Sequence, residues 1–168
     1  MFAKALQPIT VGLLLIGLVG LAGCRKSKVD TSAKAEAILA QFAGGWVVVS
    51  LDRSGKSSTA EAMRDITVTV DKDKFTMVEI KGPDRGTGGL SVRSVHTDEY
   101  AIQLDPGTPQ GEINFAYASG DRLGQTRHGI YVFDGNTLRL CLAEPGTPRP
   151  TAFNPGENVT LLILERKP

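Results

Sequence analysis

Residues 129–142 read GIYVFDGNTLRLCL, and this stretch decides the fold. Two alternating apolar runs flank Asp134-Gly135-Asn136, where a two-residue turn is favoured at Asp134-Gly135 or at Gly135-Asn136 because both permit positive φ. In either register the same face carries the large apolar side chains, which are Tyr131, Phe133, Leu138, Leu140 and Leu142. We therefore predict a β-hairpin that buries this face, with Ile130, Val132, Arg139 and Cys141 on the other.

The rest of the chain repeats this pattern of short alternating runs separated by turn residues. The predicted strands are 46–51, 66–70, 75–80, 90–95, 100–104, 111–117, 129–133, 138–142 and 159–165. A single helix is predicted at 31–43, where Ala35, Ile38, Leu39 and Phe42 form one apolar stripe before Gly44-Gly45. Eight or nine short strands with one short N-terminal helix indicate a mainly β protein, an antiparallel barrel or sandwich.

Chain length and charge balance indicate the number of domains and argue against one class of partner. A chain of 168 residues favours one domain. Its 19 basic residues nearly balance its 18 acidic residues. Nucleic-acid binding depends on clustered Lys and Arg, so no nucleic-acid partner is expected.

The N-terminus has the layout of an export signal. Lys4 precedes an apolar run of about 11 residues, 11–21, which is shorter than the roughly 20 that a spanning helix needs. Leu21-Ala22-Gly23-Cys24 resembles the lipobox of bacterial lipoproteins. The resemblance implies a signal peptide at 1–23, cleavage between Gly23 and Cys24, and lipid (palmitate among the acyl chains) on Cys24.

The lipobox resemblance also implies how the chain is divided into segments and where in the cell the protein is located. Residues 24–34 become a lipidated N-terminus and tether, and 35–168 become the barrel domain. The domain is expected to be extracytoplasmic in the cell envelope and anchored to a membrane by lipid. Arg25 after the cysteine slightly favours the outer membrane. The alternatives are an ordinary cleavable signal with a chance cysteine, or an uncleaved membrane anchor.

A second resemblance covers residues 40–166. It is carried by Gly45-Trp46-Val47-Val48, the Gly55-Lys56 turn, Phe75-Thr76, Leu104-Asp105-Pro106 and the segment GIYVFDGNTLRLCLAEPGTPRPTAF at 129–153. Together these motifs resemble an uncharacterised lipocalin-like domain family that is abundant in planctomycete bacteria. The resemblance implies an antiparallel lipocalin-like β-barrel of about eight strands. The activity of that family is not known.

The lipocalin likeness also extends to one contact. Gly44-Gly45-Trp46 is similar to the G-x-W on the first strand of lipocalins, where the Trp packs against an Arg of the final strand. Arg166 is the corresponding arginine in this sequence, so the resemblance implies a cation–π pair with Trp46.

The remaining motifs predict structure rather than chemistry. Residues 50–57, SLDRSGKS, approach a phosphate-binding loop but begin with Ser50 in place of glycine, and we interpret them as a turn between strands. His96 and His128 belong to no metal-ligand motif. Cys141 is interpreted as a small buried hydrophobe, with a catalytic thiol beside His128 as the alternative. We therefore expect no enzyme activity, no cofactor and no metal.

The proline-rich loop 144–153 has two interpretations. In the first it caps one end of the barrel, with Phe153 tucked in and Arg149 exposed; in the second it is a plain crossover between the last two strands. For the whole protein we expect a lipid-anchored envelope barrel that binds a small apolar ligand at residues the sequence leaves unknown. The alternative is a filled barrel that serves as a structural or protein-interaction module of the envelope.

The lipid assignment predicts the outcome of one substitution. Cys24→Ser should abolish incorporation of radiolabelled palmitate and release the protein from the membrane fraction, because the acylated sulfur is gone. Cys141→Ser is the matched control and should keep both the label and the membrane association. Equal labelling of the Cys24→Ser variant and the unchanged chain would contradict the assignment.

Overall fold

The computed structural model describes residues 26–81, 94–105 and 111–168. The predicted signal peptide, Cys24, the predicted cleavage site and the glycine-rich segment 82–89 lie outside the described residues. Within them the elements in chain order are α1 (Lys26–Phe42), β1 (Gly44–Arg53), β2 (Lys56–Ser57), α2 (Ala60–Arg64), β3 (Ile66–Asp71), β4 (Lys74–Lys81), β5 (Ser94–Asp105), β6 (Gly111–Tyr117), β7 (Thr126–Asp134), β8 (Thr137–Ala143) and β9 (Val159–Arg166).

Eight of these strands form a closed antiparallel barrel. Strands β3 to β9 pair with their neighbours in chain order, and β1 pairs with both β3 and β9. The short β2 pairs only with the end of β1. Closure leaves no unpaired edge in the barrel, which is how up-and-down barrels satisfy their backbone groups. The predicted mainly β, lipocalin-like antiparallel barrel is thereby confirmed.

The hairpin that decided the prediction has the expected faces. Phe133 lies opposite Leu138 and Tyr131 opposite Leu140, and these side chains belong to or pack against the buried core. Of the two candidate turns, the structure uses Gly135-Asn136, since Asp134 pairs with Thr137. Gly135 has φ +57°, a left-handed conformation that glycine adopts without steric cost.

Two predicted elements differ in extent. The helix predicted at 31–43 begins at Lys26, so it runs through most of the predicted tether, and it ends at Phe42. The strands predicted at 90–95 and 100–104 are parts of one strand, β5, over the residues described from Ser94 onward. The residues at 96–99 are polar, and a strand continues through polar residues wherever its neighbours supply the backbone hydrogen bonds, as β4 and β6 do here.

The end of the barrel next to α1, which we call the proximal end, is filled by side chains. Phe42 and Trp46 are completely buried there, and the ring centroids of Phe42 and Phe133 lie 4.9 Å apart in an edge-to-face arrangement. The indole Nε1 of Trp46 donates a hydrogen bond to the Phe42 carbonyl at 2.8 Å. This bond satisfies a buried donor and ties the helix to the first strand.

Arg166 completes the proximal end. Its guanidinium carbon lies 4.5 Å from the centroid of the Trp46 ring, which confirms the predicted cation–π pair. The same guanidinium donates to the carbonyl of Ala43, at 2.7 Å, and to that of Gln41. These are the last carbonyls of α1 and its exit, so a cation here also stabilises the negative end of the helix dipole.

The capping interpretation of the loop at 144–153 is wrong. The loop lies against the outer wall of β6–β8: Arg149 donates to the Ile113 carbonyl at 3.0 Å and to Asn114 Oδ1 at 2.9 Å. Arg149 is half-buried and also pairs with Glu112, whereas Phe153 lies beside the outward Arg139, 5.1 Å from its guanidinium carbon. The segment is a crossover that covers outward-facing apolar side chains on the hairpin, among them those of Ile130 and Cys141, which are buried.

The contacts of Arg166 with Trp46 and with the end of α1, which we call the clamp, predict how a substitution of Arg166 changes stability. Arg166→Met should lower the free energy of unfolding by about 1–2 kcal/mol, because the substitution removes the cation–π contact and the hydrogen bonds to α1 but keeps an apolar side chain. Urea unfolding followed by tryptophan fluorescence measures the change. Glu165→Gln, at the exposed neighbouring position, should alter stability much less; an equal loss in both variants would contradict the clamp.

Candidate functional site

A cavity of about 520 Å³ occupies the barrel at the end opposite α1, which we call the distal end. Its walls are the inward-facing side chains of seven strands, together with the β6–β7 loop at 119–122. A volume of this size is typical of a small-molecule site. In the proximal half, by contrast, aromatic side chains of α1 and β7 are in ring contact, as Phe42 and Phe133 are.

The floor of the cavity is apolar. It consists of inward side chains from both sides of the barrel: Leu51, Phe75, Met77, Phe115, Leu142 and Leu162. The rings of Phe75 and Phe115 are in edge-to-face contact, with centroids 4.9 Å apart. The floor is therefore the upper surface of the hydrophobic core, and an apolar group placed on it would be removed from water.

Carboxylates of β4 and β5 form one side of the cavity, which we call the acidic wall. Glu79 continues the inward phase of Phe75 and Met77 on β4, and Asp98 continues the inward phase of Tyr100 on β5. Their side chains are only 17% and 24% exposed. Glu79 Oε2 lies 3.4 Å from Nη1 and from Nη2 of Arg53, and Asp98 Oδ1 lies 3.3 Å from Nε2 of His96.

Arg127 of β7 forms the opposite side, which we call the basic wall. Its side chain is 8% exposed, and it donates to the carbonyls of Ala143 and Leu142 at 3.1 and 3.2 Å and to Thr160 Oγ1 at 2.7 Å. Glu144 Oε1 lies 3.0 Å from its Nη2. These contacts hold the guanidinium against β8 and β9, so the buried arginine does not cross the lumen.

A chain of hydrogen bonds extends from Glu144, beside the basic wall, to Tyr117. Arg122 Nη1 donates to Glu144 Oε2 at 2.9 Å and to the Tyr117 hydroxyl at 3.0 Å. Tyr117 lies opposite Tyr100 on the neighbouring strand. Burial raises the pKa of Tyr100 above the ordinary value of 10.0, and the hydrogen bond to Tyr117 and the charges of Tyr117 and Asp98 raise it further, while Arg127 lowers it. At neutral pH the Tyr100 hydroxyl is therefore protonated, and its one hydrogen is donated to Tyr117.

The residues singled out in the sequence have separate positions. Of the two histidines, His96 lines the cavity, whereas His128 is exposed on the outer wall with Nδ1 2.8 Å from Asn114 Oδ1. Cys141 is a buried outward residue whose sulfur contacts the Ala152 carbonyl, and burial raises the pKa of its thiol. A raised pKa is the opposite of what a nucleophilic thiol needs, so the interpretation as a buried hydrophobe fits.

The near-phosphate loop at 50–57 is a strand-to-strand turn, as predicted. Asp52 accepts hydrogen bonds from the Gly55 amide at 2.9 Å and from the Ser57 hydroxyl at 3.0 Å, which closes the turn between β1 and β2. In the part of the chain that the structure describes, no group of three or more His, Cys, Asp or Glu residues is placed to hold a metal ion. Neither described helix is long and apolar enough to cross a membrane.

Reasoning from the sequence missed the charged side chains that line the cavity. The signal was present in the phase of the alternation: Glu79 and Lys81 follow Met77 at intervals of two, and Arg127 precedes Gly129 and Tyr131 in the same way. A charge in the inward phase at the end of a strand indicates that the lumen there is wet or meets a polar ligand. Read that way, β4, β5 and β7 would have indicated a site at one end of the barrel.

Comparison with known proteins gives this chain no relative: no family model, no curated protein and no solved structure matches it. Membership of the lipocalin-like family of planctomycetes therefore stays a prediction. The fold and the site themselves define the class, which is a single closed antiparallel barrel with an apolar-floored, charge-rimmed cavity at its distal end.

The raised pKa of Tyr100 predicts how stability depends on alkaline pH. A hydroxyl whose folded pKa exceeds its unfolded value near 10.0 contributes stability that is present below that pH and is lost as the pH rises toward the folded pKa. Tyr100→Phe should therefore reduce the fall in unfolding free energy above pH 10.0, by up to about 1.4 kcal/mol per pH unit. Urea titrations below and above this pH measure the slope, and an unchanged slope would contradict the assignment.

Proposed function

We propose that this protein binds a small molecule with an apolar body in the distal cavity of its barrel. The observation that carries the proposal is the cavity of about 520 Å³ on an apolar floor. A barrel that served only as a scaffold would gain stability from filling this space, because empty volume loses packing contacts. Here the inward arginine is instead held flat against β8 and β9 by four partners, which keeps the lumen clear.

We further propose that the protein works in the bacterial cell envelope, held to a membrane by lipid on Cys24. Support comes from the leader at 1–23 and the four residues that resemble a lipobox. Several acyl chains on one residue give an anchor that is effectively permanent, since each buried CH₂ contributes about 0.8 kcal/mol. Arg25 favours the outer membrane as the site of this anchor.

A second candidate function has its own observation. Four aliphatic side chains are exposed on the outer wall of β1, β4 and β5, namely Val47, Val49, Ile80 and Val95, the last with 64% of its surface accessible. Val47 lies on β1, Ile80 on β4 and Val95 opposite Ile80 on β5. This surface would suit the alternative of a protein-interaction module in the envelope.

Filling the cavity distinguishes the two candidates. Met77→Trp places a larger side chain into the lumen, and Val78→Trp places the same side chain on the outer face of the same strand. The neutral fluorophore phenylnaphthylamine should bind the unchanged chain and the Val78→Trp variant, with binding to the Met77→Trp variant weakened at least about tenfold, a change of about 1.4 kcal/mol.

Circular dichroism and urea unfolding confirm that both variants are folded before binding is compared. Equal binding by the two tryptophan variants would place the fluorophore outside the cavity and overturn the ligand-binding proposal. Loss of binding only in the Val78→Trp variant would favour the outer wall as the working surface.

A further inference from the structure

The cavity is lined by equal numbers of opposite charges. Its walls include four basic residues, Arg53, Lys81, Arg122 and Arg127, and four acidic residues, Glu79, Asp98, Asp121 and Glu144. The formal charges of these eight residues, four positive and four negative, sum to zero. A guest with one net charge would leave that charge uncompensated in a partly desolvated site, which is unfavourable.

Ion pairs account for five of these charges, since Glu79 pairs with Arg53, and Glu144 pairs with both Arg122 and Arg127. The carboxylate of Asp98, whose described partner is His96, and the surplus positive charge of the Arg122–Glu144–Arg127 group lie on different strands. Around the barrel the strands follow the order β1, β3, β4, β5, β6, β7, β8, β9, so β4 and β5 face β8 and β9 across the lumen. The acidic wall, Glu79 and Asp98, therefore faces the guanidinium of Arg127, which lies against β8 and β9. Tyr100 lies on β5 two residues after Asp98, opposite Tyr117 of β6, and both tyrosines line the cavity.

We propose that the distal cavity binds a zwitterion, and specifically a short apolar peptide with free termini, its ammonium group at Asp98 and its carboxylate at Arg127. This proposal rests on ligand binding in the cavity. Asp98 has capacity for an ammonium ligand, since its described partner is the largely exposed His96. The Arg127 Nη1 group has no protein partner among the hydrogen bonds described for this side chain, so it can donate to a carboxylate.

The position of the apolar floor between the charged walls favours a peptide over a zwitterionic lipid as the ligand. The apolar residues lie below and between the two charged walls, with Met77 under the acidic wall and Leu162 under the basic one. A guest must therefore project its apolar groups from the segment between its two charges, as the side chains of a dipeptide do. A phosphoethanolamine lipid carries its acyl chains beyond the anionic group, which would direct them into the basic wall.

Three matched probes test the charges of the guest without changing the protein. Dileucine carries both charges, N-acetyl-dileucine only the negative one, and dileucine amide only the positive one. Isothermal titration of the full chain should give a dissociation constant for dileucine at least about tenfold lower than for either derivative. Absence of dileucine binding, or equal binding of all three probes, would overturn the proposal.

A mutant cycle then assigns the ammonium group to its partner. In the Asp98→Asn variant dileucine should lose about tenfold in affinity, and the preference for dileucine over N-acetyl-dileucine should disappear. Glu99→Gln is the matched control, because Glu99 lies on the same strand with its side chain paired to Lys74, outside the cavity. A preference that survives in the Asp98→Asn variant would overturn the assignment of the acidic wall.

Competition with phenylnaphthylamine separates this proposal from the one it rests on. If the fluorophore binds in the cavity but dileucine does not displace it, ligand binding stands and the peptide assignment falls. If neither probe binds, both proposals fall. Tighter binding of dihexanoyl phosphatidylethanolamine than of dileucine would assign the site to a lipid headgroup and overturn the peptide as the ligand.

Discussion

The pairing of β1 with β9 is the constraint on which the rest of this structure depends. It joins the first strand to the last, so that no strand of the barrel keeps an unpaired edge. Trp46 and Arg166 stand opposite each other on these strands, and both bond to the end of α1. The strand pairing thereby closes the sheet, and the Trp46–Arg166 contact within it positions the helix across the proximal end, where Phe42 is buried.

Tight packing at the proximal end allows the distal end of the barrel to keep a cavity. The proximal half is packed with aromatic and aliphatic side chains, which supply the hydrophobic stabilisation of the fold. The distal half can then carry polar inward residues and an unfilled volume without losing the barrel. Burial of Arg127 and Glu79 is tolerated because each has a charged partner, and the hydrogen bonds of Arg127 to strand carbonyls compensate its lost hydration.

Features that depend on residues close together in the sequence were predicted correctly, whereas features that depend on residues far apart in the sequence were not predictable from local patterns. The hairpin around Gly135 was predictable because its faces and its turn depend on fewer than about twenty residues of local alternation. The Trp46–Arg166 contact was reached through resemblance to lipocalins, since no local pattern joins residues at the two ends of the chain. The course of the loop at 144–153 was not predictable, because the partners of Arg149 belong to β6 and β7.

The sequence alone determined which side chains face inward, since alternation along a strand has a fixed period of two and a one-residue shift would expose the core. It also carried the leader at 1–23, from which we predict an export signal. Only the tertiary structure decided which inward charges confront each other. Glu79 on β4 and Glu144 just after β8 stand four strands apart in the order of the sheet, and they line one cavity because the sheet rolls up and closes. Closure is a property of the whole chain, and no local segment encodes it.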